Sequence, residues 1–131
     1  PAERRTPELI ENRLHPDLSS HQNVCFYPMS KRREEERNWY RLPLAERARL
    51  MRGHGESARK FAGRISQIIT TSAGLDDWEW GVTLFGATPE DIRDCVYEMR
   101  FDAVSADYAL FGNFYYGPRF DRDGIEGLLA K

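Results

Sequence analysis

The chain has 131 residues, 40% of them hydrophobic and 31% charged, with a formal net charge of −2. That length holds one domain with one core, and that balance belongs to neither a disordered nor a membranous chain. No run of about 18 apolar residues is present, which excludes a membrane-spanning helix and membrane insertion. The opening PAERRTPELI has no apolar stretch that would make a secretory signal. It also lacks an initiator Met, as expected of a processed product or a piece of something longer. Two cysteines, Cys25 and Cys95, are too few for a disulfide framework and lack metal-ligand spacing, which fits a reducing, cytoplasmic setting.

The charge is unevenly spread. Residues 31–64 hold 11 Lys and Arg against 5 acids, whereas residues 65–131 hold 5 against 12. A basic middle segment fits an anionic partner such as phosphate, nucleic acid or carboxylates; it also fits a solvated, Arg-rich helix.

Residues 1–21 read as an extended arm, with prolines at 1, 7 and 16 and few apolar anchors. Asn23 to Tyr27 is rich in β-formers and is closed by Pro28, the signature of a strand; the charge run SKRREEERN then reads as a loop. From Pro43 the spacing predicts a helix, since Leu44, Ala48 and Met51 recur at helical period. Met51, His54, Ala58 and Phe61 continue one face despite Gly53 and Gly55, and Gly63 ends the helix. That face carries an imidazole among apolar neighbours. Ile65 to Thr71 alternates as a strand, placing Ile65, Gln67 and Ile69 on one side. A turn at residues 73–77 leads to a strand from Trp78 to Phe85. Thr88-Pro89-Glu90-Asp91 is a helix start with an N-cap, Pro at the first position and an acid three residues after the cap. That helix runs through Ile92, Cys95, Val96 and Met99, with room to continue beyond Phe101. Phe111 to Tyr116 reads as a final aromatic strand and residues 118–131 as a tail.

The order β-α-β-β-α-β predicts an α+β, ferredoxin-like domain over residues 22–117, a four-stranded antiparallel sheet with helices on one face. That fold hosts many functions, so the site must carry the argument. An RNA-binding version would carry a basic-Gly-aromatic strand, but Asp76-Asp77-Trp78-Glu79-Trp80 would repel phosphate, which argues against nucleic acid. A lone His on an apolar helix face is either a buried, hydrogen-bonded His or a metal ligand. Nothing at ligand spacing joins His54 to make a zinc site, but haem iron needs only one protein ligand because the macrocycle supplies four nitrogens. Tyr27 is either a packed strand aromatic or a functional phenol. It shares a strand side with Met29 and Lys31, so a phenol and an amine point the same way.

Several blocks, in order, resemble the haem-dependent coproheme decarboxylases of the chlorite dismutase-like superfamily. They are Tyr27-Pro28-Met29-Ser30-Lys31-Arg32-Arg33, Asn38-Trp39-Tyr40, Leu50-Met51-x-x-His54-Gly55, Gln67-Ile68-Ile69-Thr70, Asp76-Asp77-Trp78-Glu79-Trp80-Gly81-Val82, Val96-Tyr97-Glu98-Met99-Arg100-Phe101-Asp102, and Phe111-Gly112-x-Phe114-Tyr115. The resemblance spans about residues 7–117. It implies one half of a dimeric α/β-barrel-type subunit, the C-terminal, porphyrin-binding half, in a homo-oligomer that is typically a pentamer. The implied reaction uses hydrogen peroxide to decarboxylate two propionates of coproheme III (iron coproporphyrin III) to vinyls, giving haem b. Coproheme is then both substrate and redox centre. Carried onto this chain, His54 matches the proximal iron ligand, Tyr27 the catalytic tyrosine and Lys31 the lysine beside a reacting propionate. Met29 matches a porphyrin-contacting residue, Arg13 and Ser105 match propionate anchors, and Gln67 matches a neutral distal residue. Chlorite dismutases place an arginine on the distal side, so Gln67 speaks against that branch or an unspecific peroxidase. A non-catalytic haem-binding module is the remaining alternative. One departure stands out. Relatives commonly carry Glu before the last Phe-Gly, where this chain has Leu110. If that Glu orients the proximal imidazole, His54 needs another partner here.

Overall fold

The structure is a computed structural model and describes residues 6–130, apart from the side chains of Leu9 and Arg122. Five strands and five α-helices follow one another as α1 (Pro7–Leu14), β1 (Asn23–Lys31), a 3-10 turn (Trp39–Arg41), α2 (Leu44–Arg59), β2 (Ile65–Thr71), β3 (Trp80–Gly86), α3 (Pro89–Met99), α4 (Ala103–Tyr108), β4 (Ala109–Phe111), β5 (Tyr115–Pro118) and α5 (Arg122–Leu129). The sheet order is β2-β3-β1-β4, all antiparallel, with β5 also pairing β1. This is the ferredoxin-like order, with its last strand broken in two.

The break has a local cause. β5 pairs residues 23–26 of β1, and β4 pairs residues 29–31. Between them sits Pro28, which has no N–H to give a ladder. Its carbonyl accepts from Gly112 N at 2.9 Å, and residues 112–114 bend the edge there. Proline at this point therefore does not end β1, as the sequence suggests; the strand runs on to Lys31, and the expected strand Phe111–Tyr116 is two short ones.

Other expectations are corrected in the same way. Residues Pro7–Leu14 are helical, not extended: Pro7 opens the helix, Glu8 lies in its first turn and Arg13 in its last, each matching the helix dipole. The expected tail contains α5, capped by Asp121, whose Oδ1 accepts from Gly124 N at 2.8 Å. The third helix stops at Met99, and a separate helix, α4, starts after Asp102. The α2 helix ends at Arg59, and a turn reaches Gly63, whose φ of +80° only glycine adopts without strain. The Thr88 cap is as read from sequence, its hydroxyl accepting from Asp91 N at 3.2 Å.

Two separate apolar clusters hold the fold. Cys25, Val82, Leu84 and Ile92 bury between the sheet and α3. Trp39, Leu50 and Val104 bury between the 3-10 turn, α2 and α4. Helices cover one face of the sheet, and the space between the two clusters is hollow.

The Gly112 position generates a stability prediction. A Cβ there would lie 2.7 Å from Pro28 Cγ and 2.9 Å from Trp78 Cζ2. Gly112→Ala is expected to lower unfolding stability by about 1–3 kcal/mol through overpacking, read by urea denaturation. A loss below about 0.5 kcal/mol would contradict the close approach.

Candidate functional site

The hollow is a cavity of about 360 Å³ between the sheet and the helices, in the range of small-molecule sites. Strand register builds its floor. Tyr27 lies in one cross-strand row with Val82 and Ile69, Gln67 stands opposite Leu84, and Met29 opposite Trp80. Period-two alternation puts all of these on the helix-facing side. The wall opposite comes from Met51, His54 and Ala58 of α2, with Ser105 on the first turn of α4 and the end of α3 beside it. Six of the seven residues singled out from sequence therefore line one cavity: Tyr27, Met29, Lys31, His54, Gln67 and Ser105. Arg13 is exposed on α1 and does not line it.

The His54 imidazole has the partner that the sequence left open. Its Nδ1 lies 3.1 Å from Asp102 Oδ1, and the Asp102 side chain is only 4% exposed. The same oxygen caps α4, accepting from Val104 N at 3.0 Å and Ser105 N at 3.2 Å. Burial pushes the Asp102 carboxyl up, but hydrogen bonds from Ser105 and His54 outweigh it and hold the group below the usual carboxylate range. An ionised carboxylate only accepts, so His54 Nδ1 is the donor in this bond, which in the neutral imidazole leaves the lone pair on Nε2. This is the arrangement by which proteins orient a ligating imidazole. The signal in the sequence was an aspartate three residues before Ser105, a helix-cap spacing that reads as structure alone.

Tyr27 is packed between rings. Phe114 stacks on it with centroids 4.3 Å apart, and Phe111 meets it edge-on at 5.7 Å. Burial raises its phenol well above the ordinary value, so it stays protonated throughout the physiological range. Lys31 ends β1 with its Nζ 4.9 Å from the centre of the Trp39 ring. Burial lowers its ammonium to about 8, and the Asp102 and Glu79 carboxylates oppose that shift. Glu79 also fixes the backbone here: one oxygen accepts from Lys31 N at 2.8 Å and the other from the Tyr40 hydroxyl at 2.6 Å. Tyr40 is pushed up to about 12 by burial and by that bond. Sequence reasoning did not single out Glu79, Asp102 or Arg100, which lines the cavity at the end of α3.

The other histidines are engaged elsewhere. The His21 ring is buried between Ser20 and Ser66, and His15 lies 4.0 Å from Glu11 on the surface. Among the described residues no three His, Cys, Asp or Glu side chains gather to hold a metal ion, and no helix is long and apolar enough to cross a membrane. A metal at His54 would need its remaining ligands from a non-protein group.

The chlorite dismutase family model matches residues 2–120. A coproheme decarboxylase of Thermus thermophilus is 49% identical over 121 residues, covering 92% of this chain and 49% of that protein. A protein of Halobacterium salinarum named for heme binding is 50% identical over 123 residues, 94% of this chain and 25% of its own length. The chain thus spans about half, or less, of the length of the curated relatives it matches. A solved heme-binding protein, also from Thermus thermophilus, superposes with a TM-score of 0.87 at 46% identity, covering 100% of this chain and 53% of the other. A chlorite dismutase from Candidatus Nitrospira defluvii, 22% identical, shares the fold with a TM-score of 0.76 over 96% of this chain and 52% of its own. With a family model matched across nearly its whole length and a carboxylate-held imidazole in its central cavity, the chain belongs to the chlorite dismutase-like family.

Proposed function

We propose that this chain binds coproheme in the central cavity and carries out the peroxide-dependent oxidative decarboxylation of two propionates to vinyls, giving haem b. The observation that carries the reading is one cavity lined by a carboxylate-oriented imidazole, a buried phenol and a desolvated amine. Each turnover converts a propionate, one hydrogen peroxide and one proton into a vinyl, carbon dioxide and two waters. The bound iron porphyrin supplies the means of drawing two electrons from the propionate into peroxide. The protein's part follows from its own residues. His54 presents Nε2 as the single protein ligand to iron, with Asp102 fixing its tautomer. Tyr27, held protonated, gives and retakes a hydrogen atom, relaying the abstraction from the propionate β-carbon. Lys31 and Ser105 hold propionate oxygens, and Met29 and Gln67 pack on the porphyrin, Gln67 on the distal side. Assembly as a homopentamer in the cytoplasm belongs to the same reading.

The direct test is to add coproheme and then hydrogen peroxide and follow product mass. Loss of two carboxyl groups supports the reading; oxygen release from chlorite would favour a chlorite-dismutase-like activity, and binding without turnover a haem-binding module. The similarity to proteins named only for heme binding favours keeping that last reading as the second.

The residue roles can be separated one by one. His54→Ala is expected to abolish the parental ferric Soret spectrum with coproheme while leaving the far-ultraviolet dichroism unchanged, because the side chain is 33% exposed and anchors no core cluster. Tyr27→Phe should bind coproheme within about threefold of parent and lose about 1 kcal/mol or less in stability. Vinyl formation should vanish; near-parental turnover would move the relay to another aromatic residue.

A pH dependence follows from the desolvated amine. Folded Lys31 loses its proton near 8, and the unfolded chain near the ordinary 10.5. Coproheme affinity should fall as pH rises through about 8, where the cation facing the propionate disappears, and Lys31→Met should flatten that fall. In the free protein the sign is opposite. Between about 8 and 10.5 the unfolded state binds more protons, so parent stability should rise relative to Lys31→Met over that window. A parental affinity that does not change from pH 7 to 9 would remove Lys31 from the propionate site.

A further inference from the structure

Tyr40 stands outside the cavity, one residue from it. Trp39 lines the cavity and is 7% exposed, whereas Tyr40, next to it on the same 3-10 turn, is 45% exposed. The Tyr40 hydroxyl donates to Glu79 Oε1 at 2.6 Å, and Lys31 N holds Glu79 Oε2 at 2.8 Å. Among the described residues no other tyrosine hydroxyl meets a carboxylate. Tyr116 donates to the Asn23 amide oxygen, and Tyr97 and Tyr115 are more exposed than Tyr40 with no acid on their hydroxyls.

The difference matters for one-electron chemistry. A phenol that loses an electron becomes a strong acid, so it is oxidised readily only where a base takes its proton at the same moment. A carboxylate in a short, charge-assisted hydrogen bond is such a base, and an amide oxygen is not. Trp39 supplies the link inward, because an indole can pass an electron between its neighbours. The Lys31 ammonium, 4.9 Å from the centre of that ring, resists positive charge there, so Trp39 is a transit point and Tyr40 the resting place.

We infer that Tyr40 and Glu79 form a redox site at the surface, which takes oxidising equivalents from the cavity through Trp39 and passes them to hydrogen-atom donors of the phenol class. The inference rests on the peroxide-dependent reading above. In each step the Tyr40 O–H bond breaks: its electron goes through Trp39 to peroxide in the cavity, and its proton goes to the Glu79 carboxylate. The phenoxyl then takes a hydrogen atom from the donor, and Glu79 releases its proton. Two such steps turn one hydrogen peroxide and two donor phenols into two waters and two phenoxyl radicals.

The site is tested first without porphyrin. The chain is oxidised by photogenerated tris(bipyridine)ruthenium(III) with a nitroso spin trap present, and labelled tyrosines are located by peptide mass. Tyr40 should be labelled more than Tyr97 despite its lower exposure. Its labelling should not change with phosphate concentration, because Glu79 takes the proton, whereas labelling of Tyr97 should rise with that external base. Glu79→Gln keeps a hydrogen-bonding side chain and should lower Tyr40 labelling about tenfold and make it depend on phosphate. The route is then tested with coproheme, hydrogen peroxide and the same trap. Trp39→Phe should lose Tyr40 labelling here but keep it with ruthenium. Tyr40→Phe should form vinyls at the parental rate and oxidise added phenol about tenfold more slowly.

Tyr40 labelling in the porphyrin-free parent that is no greater than that of Tyr97, or that is unchanged in Glu79→Gln, would overturn the site. If Glu79→Gln does not fold, phosphate decides: parental Tyr40 labelling that rises with phosphate as Tyr97 labelling does overturns it. Parental Tyr40 labelling in Trp39→Phe with coproheme and peroxide overturns the route; if that variant does not fold, parental phenol oxidation by Tyr40→Phe does so. A parent that binds no coproheme removes the porphyrin reading and the route together, whereas a parent that forms vinyls and leaves Tyr40 unlabelled removes this inference alone.

Discussion

One buried oxygen atom, Asp102 Oδ1, accepts from three donors belonging to two helices: the His54 ring on α2 and the Val104 and Ser105 amides that open α4. The cap and the imidazole cannot be separated, because both use the same atom. The chain stops α3 at Met99 and starts a new helix at Ala103, and that restart is what brings a carboxylate under His54. A buried carboxylate without donors is costly, so the cap amides that stabilise its charge also make it a firm acceptor for the imidazole. Leu110, on β4, brings no carboxylate to the imidazole, and Asp102 supplies one from the start of α4.

The cavity owes its existence to the way the core is divided. Two apolar clusters stand at either side, one under α3 and one under α4, and the space between them stays open above a floor that includes Val82 and Leu84 of the first. The groups placed there share a desolvated setting, and it acts on them in opposite directions: the Tyr27 phenol is held protonated, while the Lys31 ammonium is brought toward its neutral form. Glu79 and Asp102 temper the second effect without cancelling it. A ligand carboxylate entering beside Lys31 would add to the same side of that balance and favour the charged amine.

The aromatic edge ties the site to the broken strand. Phe111 ends β4 and Phe114 lies just beyond, separated by the bend that Gly112 permits against Pro28 and Trp78. Both rings pack on Tyr27, and Arg100 lies over both of them. A continuous strand from Phe111 to Tyr116 would alternate Phe111 and Phe114 onto opposite faces of the sheet, because they are three residues apart. The bend at residues 112–114 lets both reach the same phenol.

The amino-acid sequence by itself determined the α+β order, the faces of β2 and β3, the Thr88 cap and the side shared by Tyr27, Met29 and Lys31, because all of these rest on local periodicity and on capping chemistry that acts within a few residues. It also marked His54 as an imidazole on an apolar helix face. Only the tertiary structure decided that Asp102 is its partner, since 48 residues separate them and an aspartate before a short helix reads first as a cap. The continuation of β1 through Pro28 was likewise decided in three dimensions: whether a missing N–H matters depends on what the neighbouring edge offers, and here that edge is interrupted. Charge counts along the chain marked a basic middle segment but could not show that Arg100, outside it, would stand at the cavity without an acid beside it. Ion pairing depends on which side chains meet across the fold, and linear spacing carries no record of that.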